Sequence, residues 1–202
     1  MVARADLQRL VAWLTSHDQQ RHVSDGPDRE VSTQVQAAMM TFLPGPWLIY
    51  QGEEWGLPQP ELKKDEVTDP LDLLYWPKGP GREGARVLVP WTDDAPGYGF
   101  IEGKLWLPML WDGALESRGR LVARYAELIG LRRELGWDFA EVVSCDADGP
   151  VLTMVIATGN LRFEGRFRMG GVAQTPPERA DHPVVSIHGG TRQWLALIRA
   201  IN

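Results

Sequence analysis

Four residues carry side chains that could do chemistry, His17, Asp18, Arg82 and Arg86, and a carboxylate pair, Glu53 and Glu54, marks a further polar signature. They fall in three short polar stretches, Thr15 to Arg21, Gln51 to Glu54 and Gly81 to Arg86, each beside a less polar run. A His-Asp dipeptide alone reads as a pair capping a turn, but one chemistry would want it. Cleaving a glycosidic bond with retention needs two carboxyl groups about 5–5.5 Å apart, one as nucleophile and one as acid/base. Its oxocarbenium-like transition state also rewards hydrogen-bond donors and a further carboxylate that hold the sugar hydroxyls. Adjacent residues on an ideal strand point to opposite faces, so His17 and Asp18 can face one site only at a strand's frayed end.

The elements that must position these residues follow a simple grammar. Apolar runs at Leu10–Leu14 and Pro46–Tyr50 read as buried strands, although the spacing of positions 7, 10, 11 and 14 also suits a helix. Between them Glu30 to Leu43 reads as a helix with an apolar stripe of Val31, Val35, Ala38, Met39 and Phe42. Asp28 can cap it, and Pro44-Gly45-Pro46 stops it. Strand, polar signature, helix, strand, polar signature is a βαβ unit with its chemistry at the carboxyl ends of parallel strands.

Residues 56–113 are rich in Pro, Gly and Trp and lack periodicity, as in a functional loop system. Helical spacing returns from about Ser117 to Leu135, closed by Gly136. Beyond it the chain reads as short strands at 141–145, 151–157, 160–169, 184–188 and 193–201, an antiparallel sheet or small sandwich. The expected organisation is therefore residues 1–136 as helices, two strands and a long loop, then a β domain over 137–202. The class is α+β overall.

These stretches resemble the last two strands of the catalytic barrel of glycoside hydrolase family 13, the α-amylase and α-glucosidase family. Ser16-His17-Asp18 is similar to the strand-seven motif Asn-His-Asp. PGPWLIYQGEEWGL, residues 44–57, resembles the strand-eight signature P-G-x-P-x-x-Y-Q-G-E-E-x-G, with Trp47 where the family has its second proline and Pro46 one place early. Gly81-Arg82-Glu83-Gly84-Ala85-Arg86 with Pro90-Trp91 is similar to G-R-D-G-x-R-x-P-M-x-W. Trp106-Leu107-Pro108 matches the end of P-W-L-P, and Tyr125 to Arg132 matches the helix before the C-terminal β domain. The resemblance implies the C-terminal βα units of a (β/α)8 barrel followed by a small antiparallel β-sandwich domain. It implies that Asp18 is the transition-state carboxylate and that His17, Arg82 and Arg86 contact sugar. It implies action on α-linked glucosides without a cofactor. Trp55, Trp76, Trp91, Trp106 and Trp111 could stack on sugar faces, though most such residues build loop cores.

Departures from the family pattern carry information too. Ser16 replaces Asn, Asp25 stands where an Arg usually lies, and Val87 to Val89 replace a run with its Pro and Met. The strand-four segment with the nucleophilic Asp and the strand-five Glu acid/base have no counterpart in these 202 residues, and the resemblance gives Glu53 and Glu54 an architectural role. The reading is thus the C-terminal part of an α-glucosidase-like enzyme, inactive alone. The alternative is a non-catalytic remnant that binds sugar or another protein. With only two barrel strands, the stripe Val31, Val35, Met39 and Phe42 is expected open to water, so a second copy or a partner chain completing the barrel is expected as well.

Composition sets the remaining bounds. A net charge of −6 with scattered Lys and Arg does not suit nucleic acid. No apolar run is long enough to span a membrane, and Met1 to Asp6 lacks a signal-peptide pattern. The single Cys145 excludes an internal disulfide and, with the previous point, suggests the cytoplasm. Histidines 17 and 22, five apart, share no helix face, so no metal site is expected. Gly79 to Gly84 satisfies G-x-G-x-x-G by letter but lacks the strand before and helix after that a dinucleotide needs.

Overall fold

The computed structural model describes residues 10–22, 29–78, 81–93, 96–103, 105–108, 115–168, 183–189 and 193–201. The elements in chain order are α1 (Arg29–Phe42), α2 (Pro70–Leu74), α3 (Arg82–Ala85), α4 (Leu115–Glu134), β1 (Glu141–Asp148), β2 (Val151–Thr158), β3 (Leu161–Arg168), β4 (Val185–Gly189) and β5 (Gln193–Ile201). Two compact units form, one from Met1–Ala12, Glu30–Leu48 and Ala123–Asn202, the other from Trp13–Arg29 and Ile49–Val122. The change from helix to strand expected after residue 136 lies inside the first unit, where helices and strands share one core.

The described strands of the first unit make one antiparallel sheet in the order β1-β2-β3-β5-β4. Glycines 149 and 159, both with positive φ, turn the chain between β1, β2 and β3. Alternation along the strands puts Met154, Ile156, Phe163, Phe167, Ala196 and Ile198 in the core. Against them pack Val35, Ala38 and Phe42 of α1 and Tyr125 and Leu128 of α4. Phe42 meets Trp137 edge-on at 5.2 Å between centroids, and Trp137 meets Phe163 at 5.6 Å. Gly165 leaves the space that Phe42 fills. Burying such a Phe side chain contributes roughly 1.5–3 kcal/mol.

This packing corrects one expectation. The α1 stripe is not open to water: Val35 and Phe42 are buried, and Val31 and Met39 pack partly buried against the same core. Apolar stripes carry no mark of what covers them, and here the C-terminal sheet does so. The end of α1 is fastened as well. The buried Arg132 guanidinium donates to the carbonyls of Thr41 (2.6 Å), Leu43 (2.5 Å) and Gly45, and pairs with Asp138. Asp28, the expected cap at the other end, lies outside the described residues.

The two runs expected as barrel strands are reduced to a single parallel bridge, Ala12 with Trp47. The Ala12 N–H donates to the Pro46 carbonyl (3.0 Å), and the Leu48 N–H donates to the Ala12 carbonyl (2.9 Å). A strand is sustained by ladders on its neighbours. Among the described residues each run pairs only with the other, and Leu10 and Leu48 stay 49% and 59% exposed. The parallel direction, with α1 as the crossover, is that of a βαβ unit.

Candidate active site

The second unit holds the residues that the sequence singles out. Asp18 sits in the turn after the bridged segment, where its N–H donates to the Ser16 hydroxyl at 3.2 Å. The Ser that replaces the family Asn therefore shapes this turn. Four of the nominated groups converge. Arg86 Nη2 donates to Asp18 Oδ1 (3.0 Å), and Arg86 Nε donates to the His17 carbonyl (2.9 Å). Arg82 Nη1 lies 3.6 Å from the same Asp18 oxygen, and His17 Nε2 lies 3.3 Å from Asp18 Oδ2. The Asp18 side chain is 52% exposed, so a ligand can reach it.

What fixes the two arginines is a residue that motif reading missed. Asp69 is buried, and its Oδ2 accepts from Arg82 Nε (2.7 Å) and Arg86 Nη1 (3.1 Å). Its Oδ1 caps α2 through the N–H groups of Leu71 (2.9 Å) and Asp72 (3.4 Å). Burial alone would raise its pKa. The Arg82 hydrogen bond, the two backbone donors and the Arg82 charge outweigh that and hold the carboxyl below the ordinary aspartate value. The Asp69 bond is also the main reason the Arg82 guanidinium is pushed up. Asp-Pro ahead of an apolar run is a helix-start signal that could have singled Asp69 out.

Behind these groups the acidic residues of the loop serve architecture. Glu83 is buried and accepts from the Thr68 N–H (2.7 Å), the Thr68 hydroxyl (2.5 Å) and the Asp69 N–H (2.9 Å). Asp72 accepts from the Gly81 and Glu83 N–H groups at 2.7 and 3.0 Å, which starts α3 at Gly81, φ 67°. Buried Arg21 joins three segments, donating to the carbonyls of Gln51 and Ala85, both at 2.8 Å, with Gln59 accepting its backbone N–H. At Gly52, φ 84°, a Cβ would meet the Leu57 side chain at 2.9 Å. The glycine of the Tyr50-Gln51-Gly52-Glu53-Glu54 signature is therefore required by the turn.

Glu53 opens a 3₁₀ turn, Glu53–Trp55, and is almost fully buried. Among the described residues its carboxyl oxygens have no hydrogen-bond partner of normal geometry, and His22 Nδ1 stands 3.8 Å away. Burial pushes this carboxyl up to about 7, against the longer-range pull of polar hydrogens on Tyr50 and Thr15. His22 shares a 2.6 Å contact with the Thr15 hydroxyl. Burial, helped by the Arg21 charge, pushes the imidazole down to about 4.

The tryptophans divide by environment. Trp55 packs edge-on against Trp91 at 5.3 Å and beneath the Arg118 guanidinium, which makes it loop core. Trp106, 61% exposed, lines a hollow of about 200 Å³ together with Arg86, Leu88 and Ile101. Val87 and Val89, the departures from the family run, are buried, and Val87 packs with Leu57 and Leu107 in a small core. The altered run is accommodated in a formed core. Asp25 and Trp111 lie outside the described residues.

Comparison with known proteins gives the family to which this chain belongs. The alpha amylase catalytic domain family matches residues 3–135, and the chain belongs to that family. A probable alpha-glucosidase of Rhizobium meliloti (strain 1021) is 35% identical over 111 residues, covering 52% of this chain and 20% of the relative. An oligo-1,6-glucosidase of Parageobacillus thermoglucosidasius is 30% identical over 151 residues, covering 60% and 27%. The chain thus spans about a quarter of the length of these curated relatives. In fold it is similar to a trehalose-6-phosphate hydrolase of Bacillus licheniformis (TM-score 0.73, 19% identity, 94% of this chain and 42% of that one). It is also similar to a mutant trehalulose synthase in complex with Tris (TM-score 0.77, 20% identity, 95% and 43%). Those two likenesses concern the fold alone. Among the described residues no helix is long and apolar enough to cross a membrane.

Proposed function

We propose that the chain supplies the C-terminal part of an α-glucosidase-type hydrolase site, with Asp18 as the carboxylate that stabilises the transition state. The observation that carries this is the convergence of Asp18, His17, Arg82 and Arg86 in one cluster that leaves the Asp18 carboxylate half exposed. An oxocarbenium-like sugar ring gains from a fixed negative charge and from hydroxyl contacts that tighten as the ring flattens. Arg86 holds both the Asp18 side chain and the His17 carbonyl, so Asp18 is oriented before substrate arrives. His17 Nε2 and the remaining N–H groups of Arg82 and Arg86 serve the sugar hydroxyls. The nucleophile and the acid/base come from the preceding six βα units of the barrel. Those units, on a partner chain or another part of the same polypeptide, also cover Leu10, Val11 and Leu48. The assembled enzyme acts on α-linked glucosides in the cytoplasm.

The reading requires that these 202 residues alone do not hydrolyse 4-nitrophenyl α-glucoside, since removing a nucleophile typically costs on the order of 10⁶-fold in kcat. Turnover by the purified chain at ordinary rates, abolished by Glu54→Gln, would mean that the carboxylates are wrongly assigned.

A further inference from the structure

A separate hollow of about 450 Å³ lies in the same unit, walled by α2, the start of α3 and the segment from Gln59 to Val67. None of His17, Asp18, Arg82 or Arg86 lines it. We propose that it is a second saccharide site that takes one or two neutral hexose rings. Its volume falls within the range of small-molecule pockets, about 300–1,000 Å³. The floor is apolar, built by Pro60, Leu62 and Val67. The lining includes Gly84, where a Cβ would run into the Gln59 amide nitrogen, so the absence of a side chain there lets Gln59 take its place in the wall.

The polar groups decide what it takes. Asp72 lines the wall, but both its oxygens already accept backbone N–H groups. Gln59 is likewise committed, accepting from the Arg21 N–H and donating to the Gly81 carbonyl. The groups left to meet a ligand are the Gln20 amide, the Glu61 carboxylate and the indole of Trp76, which is 37% exposed. Among the described residues no Lys, Arg or His lines the hollow, while two carboxylates do, so an anion is repelled. A polyol suits every group present. Its hydroxyls donate to Glu61 in charge-assisted bonds, the Gln20 amide donates and accepts, and the C–H face of a pyranose lies against the Trp76 ring.

The proposal is independent of the role given to Asp18, and its test separates the two. The ¹⁵N-labelled 202-residue chain is titrated with maltose while its indole N–H signals are followed by NMR, the Trp76 signal being assigned by its absence in Trp76→Phe. The expected result is a saturable shift of the Trp76 signal with Kd on the order of 1 mM, about −4 kcal/mol. Glu61→Ala should weaken it at least about fivefold, roughly 1 kcal/mol, and Asp18→Asn should leave the midpoint unchanged. Glucose 1-phosphate should bind more weakly than maltose. The proposal is overturned by no saturable shift of that signal up to about 100 mM maltose. It is equally overturned by binding that survives Glu61→Ala but is lost in Asp18→Asn, or by tighter binding of the phosphate ester.

Discussion

Arg86 reaches back 68 positions to hold Asp18, donating from Nη2 to its carboxylate at 3.0 Å while Nε donates to the carbonyl of the residue before it. One guanidinium thereby fixes both the side chain and the backbone of the His17-Asp18 turn. Both partners are partly exposed, so the ion pair itself adds only about 0–1 kcal/mol to stability. Its effect is on orientation.

Asp69 carries more of the stability because it is buried and does three jobs at once. Asp69→Ala removes the α2 cap and leaves Arg82 and Arg86 without their shared anchor, and the expected loss is on the order of 2–4 kcal/mol. Its native pKa lies below the ordinary value. The stability it contributes is therefore complete above the unfolded aspartate pKa and lost as pH falls through the depressed native value. Urea unfolding at pH 7 and at successively lower pH should show the wild-type advantage over Asp69→Asn shrinking with acidity. An advantage that does not change with pH would contradict the account.

Glu53 and His22 give opposite pH dependences. With a native pKa of about 7, Glu53 contributes stability that is full below its unfolded value near 4.5 and lost as pH rises through 7, roughly 3 kcal/mol in all. His22, with a native pKa of about 4, contributes stability that is full above 6.5 and lost as pH falls through 4. Between about pH 4.5 and 6.5 the two slopes oppose each other. Glu53→Gln should be more stable than wild type at pH 8 and should lose stability more steeply on acidification. Urea midpoints of the variant and wild type that run parallel from pH 5 to pH 8 would contradict the burial of an unpartnered carboxyl.

The contact between α1 and the sheet is open to a simple steric test. A Cβ at Gly165 would stand 2.6 Å from Phe42 Cε1 and 2.8 Å from Phe167 Cε2. Gly165→Ala should therefore destabilise by about 1–3 kcal/mol through overpacking. Adding Phe42→Leu should recover part of that loss, as a double-mutant cycle on thermal unfolding would show.

Much of this was readable from residue patterns, for identifiable reasons. The strands from Glu141 to Ile201 declare themselves by alternation and by Gly149 and Gly159, which are local signals. Helices α1 and α4 declare themselves by 3.6-residue periodicity. The convergence of His17, Asp18, Arg82 and Arg86 was legible only through the family motifs, because nothing local brings residues 68 apart together. Arg21 escaped notice because its partners are distant in sequence, whereas Asp69 carried a local helix-start signal but no sign of the two arginines it would anchor. The runs at Leu10–Leu14 and Pro46–Tyr50 read as strands by composition, yet they form one bridge, since strand structure depends on neighbours that composition does not supply.

The most direct test of the central claim is complementation. The 202-residue chain is mixed or co-expressed with a polypeptide comprising the first six βα units of the oligo-1,6-glucosidase relative, and hydrolysis of 4-nitrophenyl α-glucoside is measured. The account predicts no turnover by either part alone, turnover by the pair, and its loss by at least about 10³-fold when Asp18→Asn is introduced into the chain. Turnover by the pair that is indifferent to Asp18→Asn would contradict it.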